Sequence, residues 1–306
     1  MIPPTSFFPT LLTFHIFPLH APITLWHLDA PFGRFSSKTS NLNVNGNIAW
    51  AAAELVSPIT FATTLLVNPH PPLNYPSRIL AGLYFAHYAH RAIVSPLILS
   101  PKRSPLHVVV ALAMGLFNLF NGYLVAAGLA FYPPEAEISW KFWIGVAGWA
   151  IGFLGNVYHD EVLNDLRRLP GDRLVTSRLS EDEDPKAGRY KIPRGGLYKF
   201  VSFPNYFSEW IEWTFYALAA TSPSVSNSLV PLPPLAHLRL HAGLRGSLVK
   251  LIAKIWWPPY LLHPAWMFVL AEVACMLPRA LRGHQWNQEK LKGYPKDRKA
   301  VIPGLL

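Results

Sequence analysis

A single glutamate interrupts an apolar run at Trp50-Ala-Ala-Ala-Glu54-Leu-Val-Ser57, with no basic residue one helical turn away. An ionisable group in such a run is costly unless it is paired or faces a water-filled cavity. Glu54 therefore needs a partner from another element, or a ligand. In its protonated form it could donate a hydrogen bond to a carbonyl oxygen. The other reading is a buried ion pair with Arg91. That arginine belongs to a second polar group, His87, Tyr88, His90 and Arg91. Tyr88 and His87 lie three and four residues before it and share its helical face. A phenol and a guanidinium together suit a carbonyl or phosphate ligand.

Two further constellations follow. Asn156, His159 and Asp160 fall on one helical face, with Asp165, Arg167 and Arg168 beyond them. Asn205, Glu209, Glu212 and Trp213 recur at helical spacing, and the two glutamates repel one another unless one is protonated or counter-charged. Between these groups, Arg189, Lys191, Arg194 and Lys199 surround Gly195-Gly196 at the entrance to the second constellation. Basic side chains and free amides at a helix entrance suit phosphate; a basic loop that only sets membrane orientation would look the same. Zinc-ligand spacings, the Gly-x-Gly-x-x-Gly turn and the P-loop are missing from the sequence. The acidic run Glu181–Asp184 reads as a solvated loop.

These groups must be held by apolar elements. The 306 residues are 51% hydrophobic and only 14% charged, too few charges to coat a soluble surface of this size. From 48 to 99 the only Asp, Glu, Lys or Arg are Glu54, Arg78 and Arg91; from 106 to 157 they are Glu135, Glu137 and Lys141. Such stretches are membrane-spanning candidates. With a single cysteine, Cys275, a disulfide scaffold is excluded. The expected fold is all-α and polytopic, with seven spans near 5–26, 47–67, 77–99, 105–131, 139–163, 200–220 and 264–281. Pro9, Pro18 and Pro22 make the first one irregular, and no basic segment precedes it as in a signal peptide.

Basic residues set the orientation. Connections 27–46, 100–104 and 164–199 and the tail 279–306 hold 20 of the 27 Lys and Arg, whereas 68–76 and 132–138 hold none. The positive-inside rule places the first set and the C-terminus in the cytosol. Residues 221–263 break the alternation with Arg239, Arg245, Lys250 and Lys254. Their spacing between 237 and 257 suits either a helix lying in the headgroup layer or a surface insertion.

The run Arg189-Tyr-Lys-Ile-Pro-Arg-Gly-Gly-Leu-Tyr-Lys-Phe-Val-Ser-Phe-Pro-Asn-Tyr-Phe-Ser-Glu-Trp-Ile-Glu-Trp213 resembles the steroid 5α-reductase family, the 3-oxo-5α-steroid 4-dehydrogenases. Ala53-Glu-Leu, Ala86-His-Tyr-Ala-His-Arg91 and Tyr294-Pro-Lys-Asp-Arg-Lys-Ala-Val-Ile-Pro303 match in the same order. The resemblance covers roughly 47–220 and 279–303. It implies one integral-membrane reductase domain over 1–306, in the endoplasmic reticulum, with a divergent first span in 1–45 and an insertion at 221–262. NADPH would reduce the Δ4 bond of a 3-oxo-steroid or related lipid enone, and no nucleic-acid partner is expected. By the same resemblance Glu54 and Tyr88 would hold the 3-keto oxygen, and Arg91 and Arg103 would border the cofactor. Asn156, Asp160, Arg167, Tyr190, Lys191, Asn205, Glu209, Trp213 and His284 would complete the NADPH pocket. Arg167, Arg189 and Arg194 are the expected contacts for its extra phosphate. The family's His-x-Trp-Tyr stands here as His284-Gln-Trp-Asn287. Alternatives are an enoyl-CoA or polyprenol reductase of the same superfamily, an S-adenosylmethionine-dependent membrane methyltransferase, and a non-catalytic sterol-binding protein.

Overall fold

The computed structural model describes residues 3–21, 23, 40–67, 69–175, 191–233 and 259–306. The acidic run 181–184, Tyr190 and the stretch from 234 to 258 lie outside the described residues. The described chain is mostly helical. Its helices are α1 (Phe7–Ile16), α2 (Gly46–Val67), α3 (Tyr75–Tyr88), α4 (Val108–Phe131), α5 (Trp140–Asp165), α6 (Pro204–Ala220) and α7 (Pro264–Lys290). Three of them, α2, α4 and α7, are long and apolar enough to cross a membrane.

The expected segments and the helices coincide closely, and the differences have local causes. The first segment leaves α-geometry at Ile16, where Pro18 opens a 3-10 turn over Phe17–His20. The last helix continues nine residues beyond its apolar run, through a polar but helix-compatible stretch ending at Lys290. The all-α expectation needs one amendment. Two short antiparallel pairs are present, β1 (Asn43–Val44) with β2 (Leu106–His107) and β3 (Leu229–Pro231) with β4 (Tyr260–Leu262). The second pair brings the two ends of the 221–262 insertion together.

Proline shapes the two helices that carry the isolated charges. Pro58 lies inside α2 and has no N–H to offer the Glu54 carbonyl four residues earlier. Helix α3 runs on as a wider π-helical segment, Ala89–Leu99, which contains Arg91 and Pro96. Its last turn shows the wide pattern directly, the Ser100 N–H donating to Ser95 O at 2.8 Å. Such widened turns collect at functional sites.

Small residues set the closest helix contacts. A Cβ at Gly152 of α5 would lie 2.4 Å from the Glu212 amide nitrogen on α6, and one at Gly148 would lie 2.2 Å from the Phe215 ring. On α4, a Cβ at Gly122 would meet Ser57 O at 2.4 Å. Where lipid removes the hydrophobic incentive for helices to associate, backbones approach through such bare positions. Around them lies an aromatic core: Phe61 stacked on Tyr84 at 4.3 Å, with Trp213 edge-on to Phe268 at 4.6 Å. A second cluster packs Phe7, Leu11 and Phe14 of α1 against Leu124, Val230 and Met267.

His263 caps α7 and is only 1% exposed. Its Nδ1 accepts from the Ala265 N–H at 3.2 Å, which leaves Nε2–H to donate to Tyr132 O at 3.2 Å. Burial, opposed by the Tyr132 and Gly128 backbone contacts, pushes the imidazole from 6.5 down to about 4. The folded pKa lies below the unfolded one, so the neutral cap stabilises above 6.5 and its contribution drains away as pH falls toward 4. A loss of about 2 kcal/mol is expected by pH 5. Thermal melting of purified protein between pH 7.5 and 5 checks this. The His263→Asn variant, which keeps a capping acceptor without titrating, should show a flatter profile.

Candidate functional site

The isolated charges of four helical segments meet at Arg91. Its Nε lies 3.4 Å from Glu54 Oε1 of α2, its NH1 3.7 Å from Asp160 Oδ2 of α5, and its NH2 3.6 Å from Glu209 Oε1 of α6. These separations are longer than hydrogen bonds. Charge rather than directional bonding centres the guanidinium among three carboxylates. The Glu54–Arg91 ion pair is therefore real, and it forms one arm of a larger cluster. The Trp50 ring lies between two cations, with Arg91 at 5.3 Å and Arg103 at 5.1 Å from its centroid.

Tyr88 sits on the neighbouring turn and is 3% exposed. Its hydroxyl donates to Asn118 Oδ1 at 3.4 Å, and Asn118 Nδ2 donates to Ala53 O at 2.9 Å and Glu54 Oε2 at 3.2 Å. One amide of α4 thus bridges Tyr88 and Glu54. Asn121 donates to the Tyr88 hydroxyl at 2.8 Å and to the Tyr84 hydroxyl at 3.2 Å, while Tyr84 and Ser57 share a contact of 2.5 Å.

The α5–α6 side carries a polar ladder. Asn156 donates to Glu209 Oε2 and to Asn205 O, both at 3.1 Å, and Asn205 Nδ2 donates to Asp160 Oδ1 at 2.9 Å. The two glutamates of α6 avoid repulsion by choosing different partners. Glu209 faces Arg91 and Asn156, while Glu212 meets His87 Nδ1 at 2.7 Å. His159 shares its helical face with Asn156 and Asp160 but serves the fold. Its Nδ1 contacts Gly155 O at 2.6 Å, and its Nε2 accepts the Leu197 N–H at 3.0 Å. Gly196, at φ +51°, lies so close that a Cβ would come within 2.7 Å of His159 Nε2.

The entrance to α6 and the C-terminal tail are joined through their backbones. Ser202 and Phe203 donate to Lys299 O and Ala300 O at 2.9 and 3.0 Å. His284 contacts Ser202 Oγ at 2.6 Å and Gln288 at 3.0 Å, so both ring nitrogens are engaged. Asn287, where the family has Tyr, is buried and donates to the Tyr294 hydroxyl at 3.4 Å. Arg194 and Arg167 are exposed, and Lys191 is half-buried.

Arg103 and Arg298, both at least partly buried, make no ion pair with a carboxylate among the described residues. Arg103 bonds Ser95 Oγ and Ser100 Oγ at 3.1 and 2.9 Å and has no carboxylate within ion-pair reach among the described residues. Burial, reinforced by the Arg91 and Arg167 charges and opposed by Asp160, pushes its guanidinium down to about 10. Arg298 is 5% exposed and donates through NH2 to Pro193 O at 3.1 Å. Its Nε and NH1 have no hydrogen-bond partner among the described residues, nor does Asn205 Oδ1. A buried polar group without a partner is the kind of position that a bound ligand, ion or water satisfies. These cations and this amide fit a phosphate-bearing dinucleotide with a carboxamide group.

Sequence reasoning missed several members of the site. Asn118 and Asn121, three residues apart inside the apolar run of α4, had only their shared face as a signal. Arg298 read as one more topological tail charge. Glu272 of α7 is half-buried, without a hydrogen bond or ion pair among the described residues, and interacts electrostatically with Arg91.

A helical membrane-protein architecture with a buried Glu–Tyr–Arg cluster beside a basic loop defines the class. Residues 102–230 and 252–306 match the family described as 3-oxo-5-alpha-steroid 4-dehydrogenase, and the chain belongs to that family. It is 30% identical over 290 residues to 3-oxo-5-alpha-steroid 4-dehydrogenase 1 of Rattus norvegicus, covering 93% of this chain and 89% of that one. It is 31% identical over 308 residues to the steroid 5-alpha-reductase DET2 of Gossypium hirsutum, covering 98% and 97%. An uncharacterized protein of Schizosaccharomyces pombe is 34% identical over 307 residues, covering 93% and 94%. Family and composition together make this an oxidoreductase of steroid metabolism with apolar, membrane-compatible helices.

Proposed function

We propose that the protein is an NADPH-dependent reductase of the Δ4 double bond of a 3-oxo-steroid, working within the endoplasmic reticulum membrane. The observation that carries this reading is the bridging of Tyr88 and Glu54 by Asn118, which points two potential donors at one place. A 3-keto oxygen entering there gains a hydrogen bond from Tyr88; Glu54 would add a second on taking up a proton and leaving its ion pair with Arg91. Both strengthen as negative charge grows on the oxygen, the general requirement for adding hydride to an enone. NADPH, when bound, supplies the hydride that adds to C5. A solvent proton then bonds C4, and the enolate oxygen returns to a ketone as Tyr88 and Glu54 relax.

Arg91, Asn156, Asp160, Asn205, Glu209 and Trp213 would border the nicotinamide end of the cofactor. Arg103, Arg167 and Lys191 would face its phosphates, together with Arg298, whose Nε and NH1 have no hydrogen-bond partner among the described residues. Tyr190 and His284 complete the set, His284 through the Ser202 contact that orders the tail. In this reading the chain crosses the bilayer seven times, the first crossing being the irregular segment near 5–26. The basic connections and the C-terminus face the cytosol, where NADPH is available, and the steroid body lies among the apolar helices.

Purified protein should consume NADPH with progesterone or testosterone and leave trans-2-enoyl-CoA untouched. Turnover of the acyl-CoA alone would replace the steroid assignment with the neighbouring reductase class. Stabilisation by S-adenosylmethionine with indifference to NADPH would remove the reductase reading altogether.

A further inference from the structure

Tyr88 carries one hydroxyl proton and can accept through its oxygen lone pairs. Where that proton points decides whether the phenol can help a substrate carbonyl. Two asparagines of α4 meet the hydroxyl, and their orientations follow from their other contacts. Asn118 must turn its Nδ2 toward Ala53 O and Glu54 Oε2, which leaves its Oδ1 facing Tyr88. Asn121 has two choices. With Nδ2 toward the phenol it donates at 2.8 Å, and only its Oδ1 is left buried without a partner among the described residues. Flipped, it would bury an orphaned amine and set two amide oxygens competing for one phenol proton. An under-satisfied buried carbonyl is better tolerated than an orphaned N–H, so the first orientation wins.

We infer that Asn121 is the positioning residue that aims the Tyr88 proton toward the carbonyl site, with the Asn118 amide oxygen as its temporary acceptor. This rests on the reading of Tyr88 given under Proposed function. Asn121 occupies one accepting side of the phenol oxygen. The neighbouring Ser57 and Tyr84 hydroxyls also contact it but are tied to each other and to Asn121, which leaves the O–H the Asn118 and Glu54 side to face. The Asn118 contact, at 3.4 Å, exceeds the usual span of an O–H···O bond. A substrate oxygen placed between Tyr88 and Glu54 therefore takes the proton over a weak competitor. Asn121 is itself held: it is fully buried, reaches Ser57 Oγ at 3.4 Å and Tyr84 OH at 3.2 Å, and precedes Gly122, which has no room for a Cβ.

The test uses the full chain in detergent or nanodiscs, with progesterone and NADPH. Asn121→Leu should lower kcat by about 100-fold, the scale of one misdirected donor, while KM changes little. The double variant Tyr88→Phe/Asn121→Leu should be no slower than Tyr88→Phe alone, because the asparagine acts through the phenol. Asn121→Ser, which shortens the reach but keeps a polar side chain, should behave alike and covers a failure of the leucine variant to fold. Multiplicative losses in the double variant would overturn the inference. A substrate-free arm places 3-fluorotyrosine at 88 and follows its fluorine resonance. Asn121→Leu or Asn121→Ser should shift that resonance, and an unmoved signal would overturn the positioning role. Should the wild type reduce no 3-oxo-4-ene steroid, the proposed function fails, and the fluorine arm alone decides the inference.

Discussion

Tyr88→Phe is expected to lower kcat for a 3-oxo-4-ene steroid by about 10² to 10³-fold while leaving the protein folded, since removing one donor to a developing oxyanion has that scale. The ring keeps its packing against Tyr84, at 4.8 Å, and loses only the hydroxyl. Asn118 then loses a weak donor and Asn121 an acceptor. Neither is an ion, so the structural cost stays near that of unpaired amides, about 1–3 kcal/mol. Glu54→Gln should cost less in kcat, because its amide still presents an N–H to the carbonyl. Glu54→Leu should approach the Tyr88→Phe loss. Steady-state kinetics with NADPH oxidation as the readout orders the three, and equal kcat values for Tyr88→Phe and wild type would remove the phenol from the reaction.

The second large effect falls on the fold as well as the site. Arg91→Leu removes the shared counter-charge of Glu54, Asp160 and Glu209, carried on three different helices. Breaking a buried ion cluster on one side costs about 3–5 kcal/mol, because the remaining charges stay desolvated. Against a typical net stability of about 5–15 kcal/mol, that leaves a poorly folded protein. The expected result is a sharply lowered melting temperature and weak NADPH binding. Adding Glu209→Gln should recover part of the melting temperature by removing one stranded carboxylate. An Arg91→Leu protein that melts with the wild type would mean the three carboxylates are already neutral in the fold.

Much of this cluster is legible in the sequence. Charge is so rare in the apolar runs that Glu54 and Arg91 announced themselves, and the periodic spacing of Asn156 with Asp160 and of Asn205 with Glu209 placed each pair on one face. Helix ends were equally legible where Pro or a polar turn stops an apolar run, as at the start of α6. What spacing cannot give is which helix each face meets. His159 shares the right face yet turns to the Gly196 loop, and Glu212 sits one turn from Glu209 yet pairs with His87. Asn118 and Asn121 were hidden for another reason. An uncharged amide in a span is cheap enough to look incidental, and its value appears only when another helix brings a phenol to it. Arg298 was masked by its neighbours, since a basic tail is what membrane orientation alone would produce.

The bare glycine positions of α5 carry a mechanical consequence. With Gly148 and Gly152 pressed against Phe215 and the Glu212 backbone, the two helices have no slack in which to slide or part. They form one stiff plate, and Asp160, Asn205 and Glu209 travel with it as a fixed template. Any rearrangement around Arg91 would then change its distances to the Asp160 and Glu209 carboxylates together, and its distance to Glu54 separately.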